Sequence, residues 1–416
     1  MVAPFRFSRR FLLASAAALA WTPRSFAEDG PPGSAEFDLL MKEGRYLPLL
    51  RFYQSQGTTA AAWLTAQLAA MTGDEAAAFA VPDSAPRAVP DLADCRAVDA
   101  LETIVQAARS RQIVILNEAH HASRCRAFAA QLAARLHGEG FTVFAGEAFD
   151  NSAHPSAAAT ALNAGGSVTP QLGWYLADPV YAEMVRAMRR RGTRFAAYEA
   201  RAVQLQGTSG DSEIEAREDA EANNFIADVL GPHPKARVLV LCGYDHVVKT
   251  ATADGRMWFA ARLKAKTGID PLCVAQSWGL PSMGGEEPAL KAVLDTFAFT
   301  APAILFDKHD RPFNPSLANT VDVEVIHPRL AAVDGRPGWL ATGRKRAPFA
   351  LSALVGPHDL IQAVPAEEAA APNVVPADQY PLLPGAREAV FFLHEGRYEV
   401  RLETDDGRRV LGELKV

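Results

Sequence analysis

Between residues 95 and 310, short apolar runs alternate with stretches of helical spacing, and few folds accommodate that alternation. Ile113-Val114-Ile115-Leu116 is apolar throughout and stops at Asn117-Glu118. A run of that length bounded by polar residues reads as a strand buried on both faces. Residues 123–138 place Phe128, Leu132 and Leu136 at helical spacing. Thr142–Gly146, Arg194–Tyr198, Arg237–Cys242, Leu272–Ala275 and Ala303–Phe306 repeat the strand signal. Helices are expected at Val98–Ala108, Pro179–Arg190, Ser212–Leu230 and Met257–Ala265, with Asp178 as the N-cap of the second and Pro179 at its first position. The order predicts an α/β fold with a mainly parallel sheet and flanking helices.

The flanks read differently. Residues 1–27 read as a signal peptide, with an uncleaved membrane anchor as the competing reading: Arg6, Arg9 and Arg10 precede the apolar Phe11–Trp21 stretch, and Ser25-Phe26-Ala27 offers a cleavage site. Ser8-Arg9-Arg10-Phe11-Leu12-Leu13 resembles the twin-arginine motif with one residue fewer between the Arg pair and Phe-Leu. Residues 28–94 form a helical extension that braces the domain behind it, with a Pro-rich connection from Val81-Pro82 to Pro90. Residues 311–385 read as an irregular extension or linker with one strand at Val321–Ile326. Residues 386–416 alternate apolar and polar side chains in three runs separated by His394-Glu395-Gly396 and Asp405-Asp406-Gly407, a three-stranded antiparallel meander.

Charge and length exclude some functions. The net charge is −6, which gives nucleic-acid binding no electrostatic basis. Loss of residues 1–27 removes four Arg and no acid, taking the charge from −6 to −10. No apolar run reaches the ~18 residues of a membrane span, so none is expected after leader cleavage. The expected location is the periplasm or the exterior. Cys95, Cys125, Cys242 and Cys273 match no zinc spacing, and Cys242 and Cys273, within or beside apolar strands, read as small buried apolar residues.

The candidate chemistry lies at strand ends. Glu118 with His120 and His121, then Glu147, then His246 each follow an apolar strand. In an open parallel sheet these ends share one edge, where ligands bind. A His beside a carboxylate can act as a general base on water. Glu118 or Glu147 would orient it, Arg124 or Arg126 would stabilise an oxyanion, and His246 would protonate the leaving group. Alternatively Glu118, His120 and His246 hold one divalent metal, Mn or Zn, whose bound water attacks. The blander readings are that Glu147 caps a helix, that Arg124 and Arg126 are exposed, that Glu199 pairs with Arg201 or Arg217, that Trp174 and Tyr175 are packing, and that the charged 212–222 helix is a solvated face. No Gly-x-Ser-x-Gly elbow is present.

Asn117-Glu118-Ala119-His120-His121-Ala122-Ser123-Arg124 resembles the Gly-Glu-Ala-Thr-His-Gly-Thr-Arg stretch of erythromycin esterase-like proteins. Phe144–Ala148, Phe195–Glu199, Arg217–Asn223 and Val240–His246 follow in that family's order. The resemblance extends to the wider group with ChaN-type haem-binding proteins and TIKI/TraB proteases, whose late Gly-x-x-His is met by Gly243-Tyr244-Asp245-His246. It covers roughly residues 95–280. Asn117 stands where the family has Gly, and Gly243 stands where the esterase-type motif often has a first His. His120 satisfies a Glu-x-His pattern and His121 a Glu-x-x-His pattern, so both remain candidates.

The resemblance implies an exported hydrolase acting on an ester, lactone or amide of a small-molecule or peptide substrate. Its esterase branch implies a metal-free site and its TIKI branch a metal-bound one. The ChaN branch implies a haem- or iron-binding protein ligated through Tyr244, His120 or His246. A binding module of the same fold without catalysis is the third expectation.

Overall fold

The computed structural model describes residues 39–416 apart from 41, 81–86, 253, 282–285, 330, 352–358, 372 and 384. The expected leader and much of the Pro-rich connection lie outside the described residues.

Helices α1 (Tyr46–Gln56), α2 (Thr59–Thr72) and α3 (Glu75–Ala78) come first. Thr58 and Asp74 cap the second and third through their side-chain oxygens. The α/β layer follows: β1 (Arg96–Asp99), α4 (Ala100–Ala108), β2 (Ile113–Glu118), α5 (Ser123–Gly138), β3 (Phe141–Gly146), α6 (Ala157–Asn163), α7 (Pro179–Arg190), β4 (Arg194–Ala197), α8 (Asp211–Asn224), β5 (Arg237–Gly243), α9 (Phe259–Thr267), β6 (Leu272–Gly279), α10 (Pro288–Phe297), β7 (Ala303–Phe306) and β8 (Val323–Ile326). The eight strands form one sheet in the order β1-β7-β8-β6-β2-β5-β3-β4. The pairings from β8 through β4 are parallel, and β7 runs antiparallel to both its neighbours.

The continuous apolar character of β2 has a direct cause. Val114 and Leu116 pack on one face with Phe128, Leu132, Tyr181 and Val185 of α5 and α7. Ile113 and Ile115 pack on the other with Phe225, Val229, Phe259 and Leu263. Both faces are covered, so neither alternates with polar residues.

The topology also places the site. From β2 the chain crosses by α5 to β3, on one side of β5. From β5 it crosses by α9, on the opposite face, to β6 on the far side of β2. The segments that leave the neighbours β2 and β5 therefore diverge at the strands' carboxyl ends, where an open parallel sheet forms its crevice. Register sets Glu118 opposite Gly243 there.

The C-terminal part differs from the expected single meander. It comprises β9 (Ala332–Val333), β10 (Arg336–Pro337), β11 (Lys345–Ala350), β12 (Leu360–Pro365), β13 (Asp378–Pro381), β14 (Glu388–Leu393), β15 (Arg397–Thr404) and β16 (Gly407–Lys415). Of the three tail strands only β15 and β16 pair with each other. β14 pairs with β11, and β15 pairs on its other edge with β12 in a sheet of order β13-β12-β15-β16. Strand alternation reveals which residues face inward but not which distant strand supplies the ladder. Residues 311–385 are correspondingly not an irregular linker. They supply β8 to the main sheet and β12 and β13 to the tail, and Val374, Val375 and Ala377 are buried. Arg186 of α7 holds this segment through Glu368 (2.8 Å) and the Val375 carbonyl (2.6 Å).

The N-terminal helices sit between the two β regions. Leu47 N–H donates to Glu403 (2.9 Å), Tyr46 Oη donates to the Ala177 carbonyl (2.7 Å), and Gln67 accepts from Trp174 Nε1 (2.7 Å). No described helix is long and apolar enough to cross a membrane. The four cysteines are free thiols; Cys242 and Cys273 are buried as expected, and Cys125 is buried as well.

Candidate functional site

At the end of β2, Glu118 turns inward and meets Arg126 from the first turns of α5. Nε and Nη2 of Arg126 donate to the two oxygens of Glu118 at 2.8 and 2.7 Å. The guanidinium also bonds Asp178, the N-cap of α7, and the His120 carbonyl (3.1 Å). Arg126 is 0% exposed, against the expectation of a solvated helix residue. Burial pushes the Glu118 carboxyl up, but Arg126 and His120 outweigh it and hold it below the usual range. His120 Nδ1 lies 3.2 Å from Glu118 Oε1. Its ring stacks on Tyr175 (centroids 4.0 Å, 17°) and meets Tyr244 edge-on (4.9 Å, 85°). Tyr175 is therefore a wall of this site as well as packing.

His121 and Arg124 turn away from Glu118. The His121 ring lies edge-on to Phe79 (5.0 Å) and Trp63 (5.6 Å), which belong to the N-terminal helical segment. Arg124 donates to Glu75 of α3 and lies over the Phe79 ring (5.5 Å), while Trp339 Nε1 donates to the other Glu75 oxygen (2.9 Å). Arg124 is buried at 3% exposure and committed to that pair, so it does not stand beside Glu118 as an oxyanion donor.

The second half of the site gathers around Arg217. Glu147 is not a helix cap: one oxygen accepts from the Gly243 N–H and the other from Arg217 Nη2 (2.9 Å). Glu199 pairs with Arg217 through both oxygens. Arg201 instead serves Asp228 and Asn224. His246 Nδ1 lies 3.0 Å from Glu218 Oε2 and 3.3 Å from Glu221 Oε2. Its Nε2 lies 3.1 Å from Arg217 Nη1 and 3.8 Å from Glu147 Oε1. The charged α8 is thus not a solvated face along its whole length: Glu218 and Glu221 are 0% exposed. Arg217, Glu221 and Asn224 recur at helical spacing, a polar stripe that the sequence carried and that only the packing shows to face inward.

These groups set one another's protonation. Burial pushes Glu147 up, but His246, Arg217, His120 and the Gly243 N–H bring it down to about 2. Burial together with Glu221 and Glu147 outweighs Arg217 and raises Glu199 to about 8. Burial opposes a charge on His246, while Glu218, Glu221 and Glu147 favour it and raise its pKa well above 6.5. The Arg217 contact at Nε2 favours the neutral ring, since a guanidinium has only protons to offer. Three carboxylates against one guanidinium decide for the cation.

The two halves meet at Gly243. A Cβ there would lie 2.4 Å from His120 Cε1, 2.5 Å from His120 Nε2 and 3.4 Å from Glu147 Oε2. The Nε2 edge of His120 therefore rests on the bare backbone of Gly243, beside Glu147. Among the described residues no hydrogen bond engages that nitrogen. Any side chain at Gly243 would displace His120.

The expected metal set is not one cluster. Glu118 and His120 sit together, whereas His246 belongs with Glu147, Glu218 and Glu221. The described group whose donor atoms lie within 4.8 Å of one another is Glu218, Glu221 and His246. Glu218 Oε1 and both Glu221 oxygens are buried without a hydrogen bond, although Glu221 lies against Arg217 Nε (3.0 Å). Carboxylate and imidazole donors suit a divalent ion such as Zn²⁺ or Mn²⁺, provided His246 Nδ1 gives up its proton. Haem does not fit: His120 Nε2 faces Gly243, His120 is covered by two tyrosines, and His246 Nε2 faces a guanidinium.

No family model and no curated protein matches the chain. Among solved structures, two bacterial protein toxins align with 16% identity each, at TM-scores of 0.33 and 0.32, over 43% and 44% of this chain. The chain spans 37% of the length of each. An effector domain of a MARTX toxin from Vibrio vulnificus, RRSP, aligns with 18% identity and a TM-score of 0.31, over 43% of this chain and 36% of that one. The type III effector HopBA1 aligns with 14% identity and a TM-score of 0.33, over 55% of this chain and 93% of its own.

Proposed function

We propose that the chain is an exported hydrolase of the erythromycin esterase-like, ChaN and TIKI group that cleaves an ester, lactone or amide with water activated by His120. One observation carries this reading. His120 has Glu118 on Nδ1, Glu118 is fixed by Arg126, and the Nε2 edge, set against the Gly243 backbone beside Glu147, has no hydrogen bond among the described residues. A carboxylate on Nδ1 selects the tautomer with the lone pair on Nε2, as a general base requires. His120 Nε2 takes a proton from water, the resulting hydroxide attacks the carbonyl carbon, and the bond to the leaving group breaks. His246, kept charged by its carboxylates, returns a proton to the departing oxygen or nitrogen. In a metal-assisted form, Glu218, Glu221 and a His246 deprotonated at Nδ1 would hold a divalent ion, which would supply the positive charge in place of the imidazolium.

The test uses a panel of neutral esters, lactones and peptides. Activity present in wild type and lost in Glu118→Ala, His120→Ala and His246→Ala, but kept in His121→Ala, supports the reading. Full activity in the His120 variant sinks it. Loss with chelator and recovery with Mn²⁺ or Zn²⁺ selects the metal-assisted form.

A further inference from the structure

Tyr244 carries one of the few positive φ angles at a residue other than glycine, +37°. A bulky side chain in this region is strained, and such strain persists only where the surroundings over-determine it. Here Asn117 supplies the restraint. Its Nδ2 donates to the Tyr244 carbonyl (2.8 Å) and to Ser277 Oγ (3.1 Å), and its Oδ1 accepts from Gln276 N–H (2.6 Å). The backbone of Tyr244 is thereby tied across the crevice to β2 and β6. A Gly at 117, as in the esterase-type pattern, has no side chain with which to make these bonds.

The strained backbone delivers the tyrosine ring to the His120-His121 pair. Tyr244 Oη accepts the His120 N–H (3.3 Å) and lies 3.5 Å from His121 Nδ1. The ring edge abuts the His120 imidazole, and Tyr175 closes the face. Tyr244 is therefore the wedge between two adjacent imidazoles that point to opposite sides: His120 towards Glu147, His121 towards Phe79 and Trp63.

We infer that Tyr244, locked by Asn117, is a positioning residue that assigns His120 and not His121 to the hydrolytic site. The inference rests on the hydrolase reading for its catalytic consequence, but its geometric part is measurable without activity. In the wild type the His120 ring lies against two aromatic rings, so its C–H resonances carry their ring-current shifts. Those resonances are identified by their loss in His120→Gln.

Three variants test the idea. Tyr244→Gly relieves the backbone and removes the ring. Tyr244→Phe keeps the ring and removes the hydroxyl. Asn117→Gly leaves Tyr244 intact but frees its carbonyl. The expected result is that Tyr244→Gly and Asn117→Gly, both still folded by circular dichroism, move the His120 resonances in the same sense. Tyr244→Phe moves them less. On an ester that the wild type cleaves, kcat falls by about 100-fold in Tyr244→Gly and Asn117→Gly with KM nearly unchanged, as for a misplaced catalytic group. Asn117→Ser, which keeps a short donor, recovers part of the loss.

An Asn117→Gly protein that unfolds at lower temperature yet keeps the wild-type His120 resonances would overturn the inference, because Asn117 would then be structural only. If Asn117→Gly fails to fold, Asn117→Ala, which likewise removes the amide and leaves the Tyr244 ring in place, takes over, and unmoved resonances there have the same force. If no substrate is found but the resonances move as expected, the positioning stands and the hydrolase reading alone has failed.

Discussion

Gly243→Ala isolates the contact on which the candidate site depends. Gly243 has φ −83° and ψ 149°, which alanine adopts without strain. By itself the substitution should therefore be neutral, or stabilise by about 0.4–1 kcal/mol through the unfolded chain. The environment reverses this. The new methyl would lie 2.4 Å from His120 Cε1, and the ordinary range for a Cβ contact begins at 3.4 Å. The ring or the backbone must recede by about 1 Å, and such overpacking costs about 1–3 kcal/mol. The ring cannot recede freely, because Tyr175 stacks on it and its Nδ1 is held by Glu118. The expected outcome is a net loss of about 1–3 kcal/mol in urea unfolding and a fall in kcat of about 100-fold. The same substitution in a His120→Ala background has nothing to collide with and should cost nothing. An equal loss in both backgrounds would refute the argument that Gly243 exists to admit His120.

Arg126→Met leaves Glu118 and Asp178 buried without their guanidinium and should destabilise by about 3–5 kcal/mol. Chemical denaturation reads this, and a loss below about 1 kcal/mol would mean that the carboxylates find other partners. Glu199 has a folded pKa of about 8 against 4.5, so its contribution to stability is full below about pH 4.5 and is lost as pH rises through 8. Glu147, lowered to about 2, contributes above 4.5 and loses that contribution as pH falls towards 2. Glu199→Gln should accordingly flatten the decline of melting temperature between about pH 6 and 8 while leaving the acid limb intact, and an unchanged alkaline slope contradicts the assignment. Zn²⁺ or Mn²⁺ at a hundred-fold excess over Kd should stabilise chelator-treated protein by about 2.7 kcal/mol if Glu218, Glu221 and His246 form a site. The shift should vanish in Glu221→Gln, and its survival there places the ion elsewhere.

The amino-acid sequence by itself determined the α/β class, because runs such as Ile113–Leu116 have one stable environment, a strand covered on both faces. It also determined that Glu118, Glu147 and His246 fall at or just beyond strand ends, since each lies within a few residues of the end of such a run. It did not determine which charges are spent on one another. Arg124 and Arg126 are two residues apart on one helix, yet one meets Glu75 from the N-terminal helices and the other meets Glu118. Glu218 and Glu221 have the spacing of an ordinary solvated helix, and only the docking of α8 against the β5 end buries them. The tail strands showed their inward faces by alternation, while their partners β11 and β12 were set by packing between segments distant in the chain. The choice between His120 and His121 is the sharpest case. Adjacent residues of one type cannot be told apart by pattern, and the tertiary structure separates them because Asn117 and Tyr244 hold one peptide unit so that the first imidazole meets Glu118 and the second meets Phe79 and Trp63.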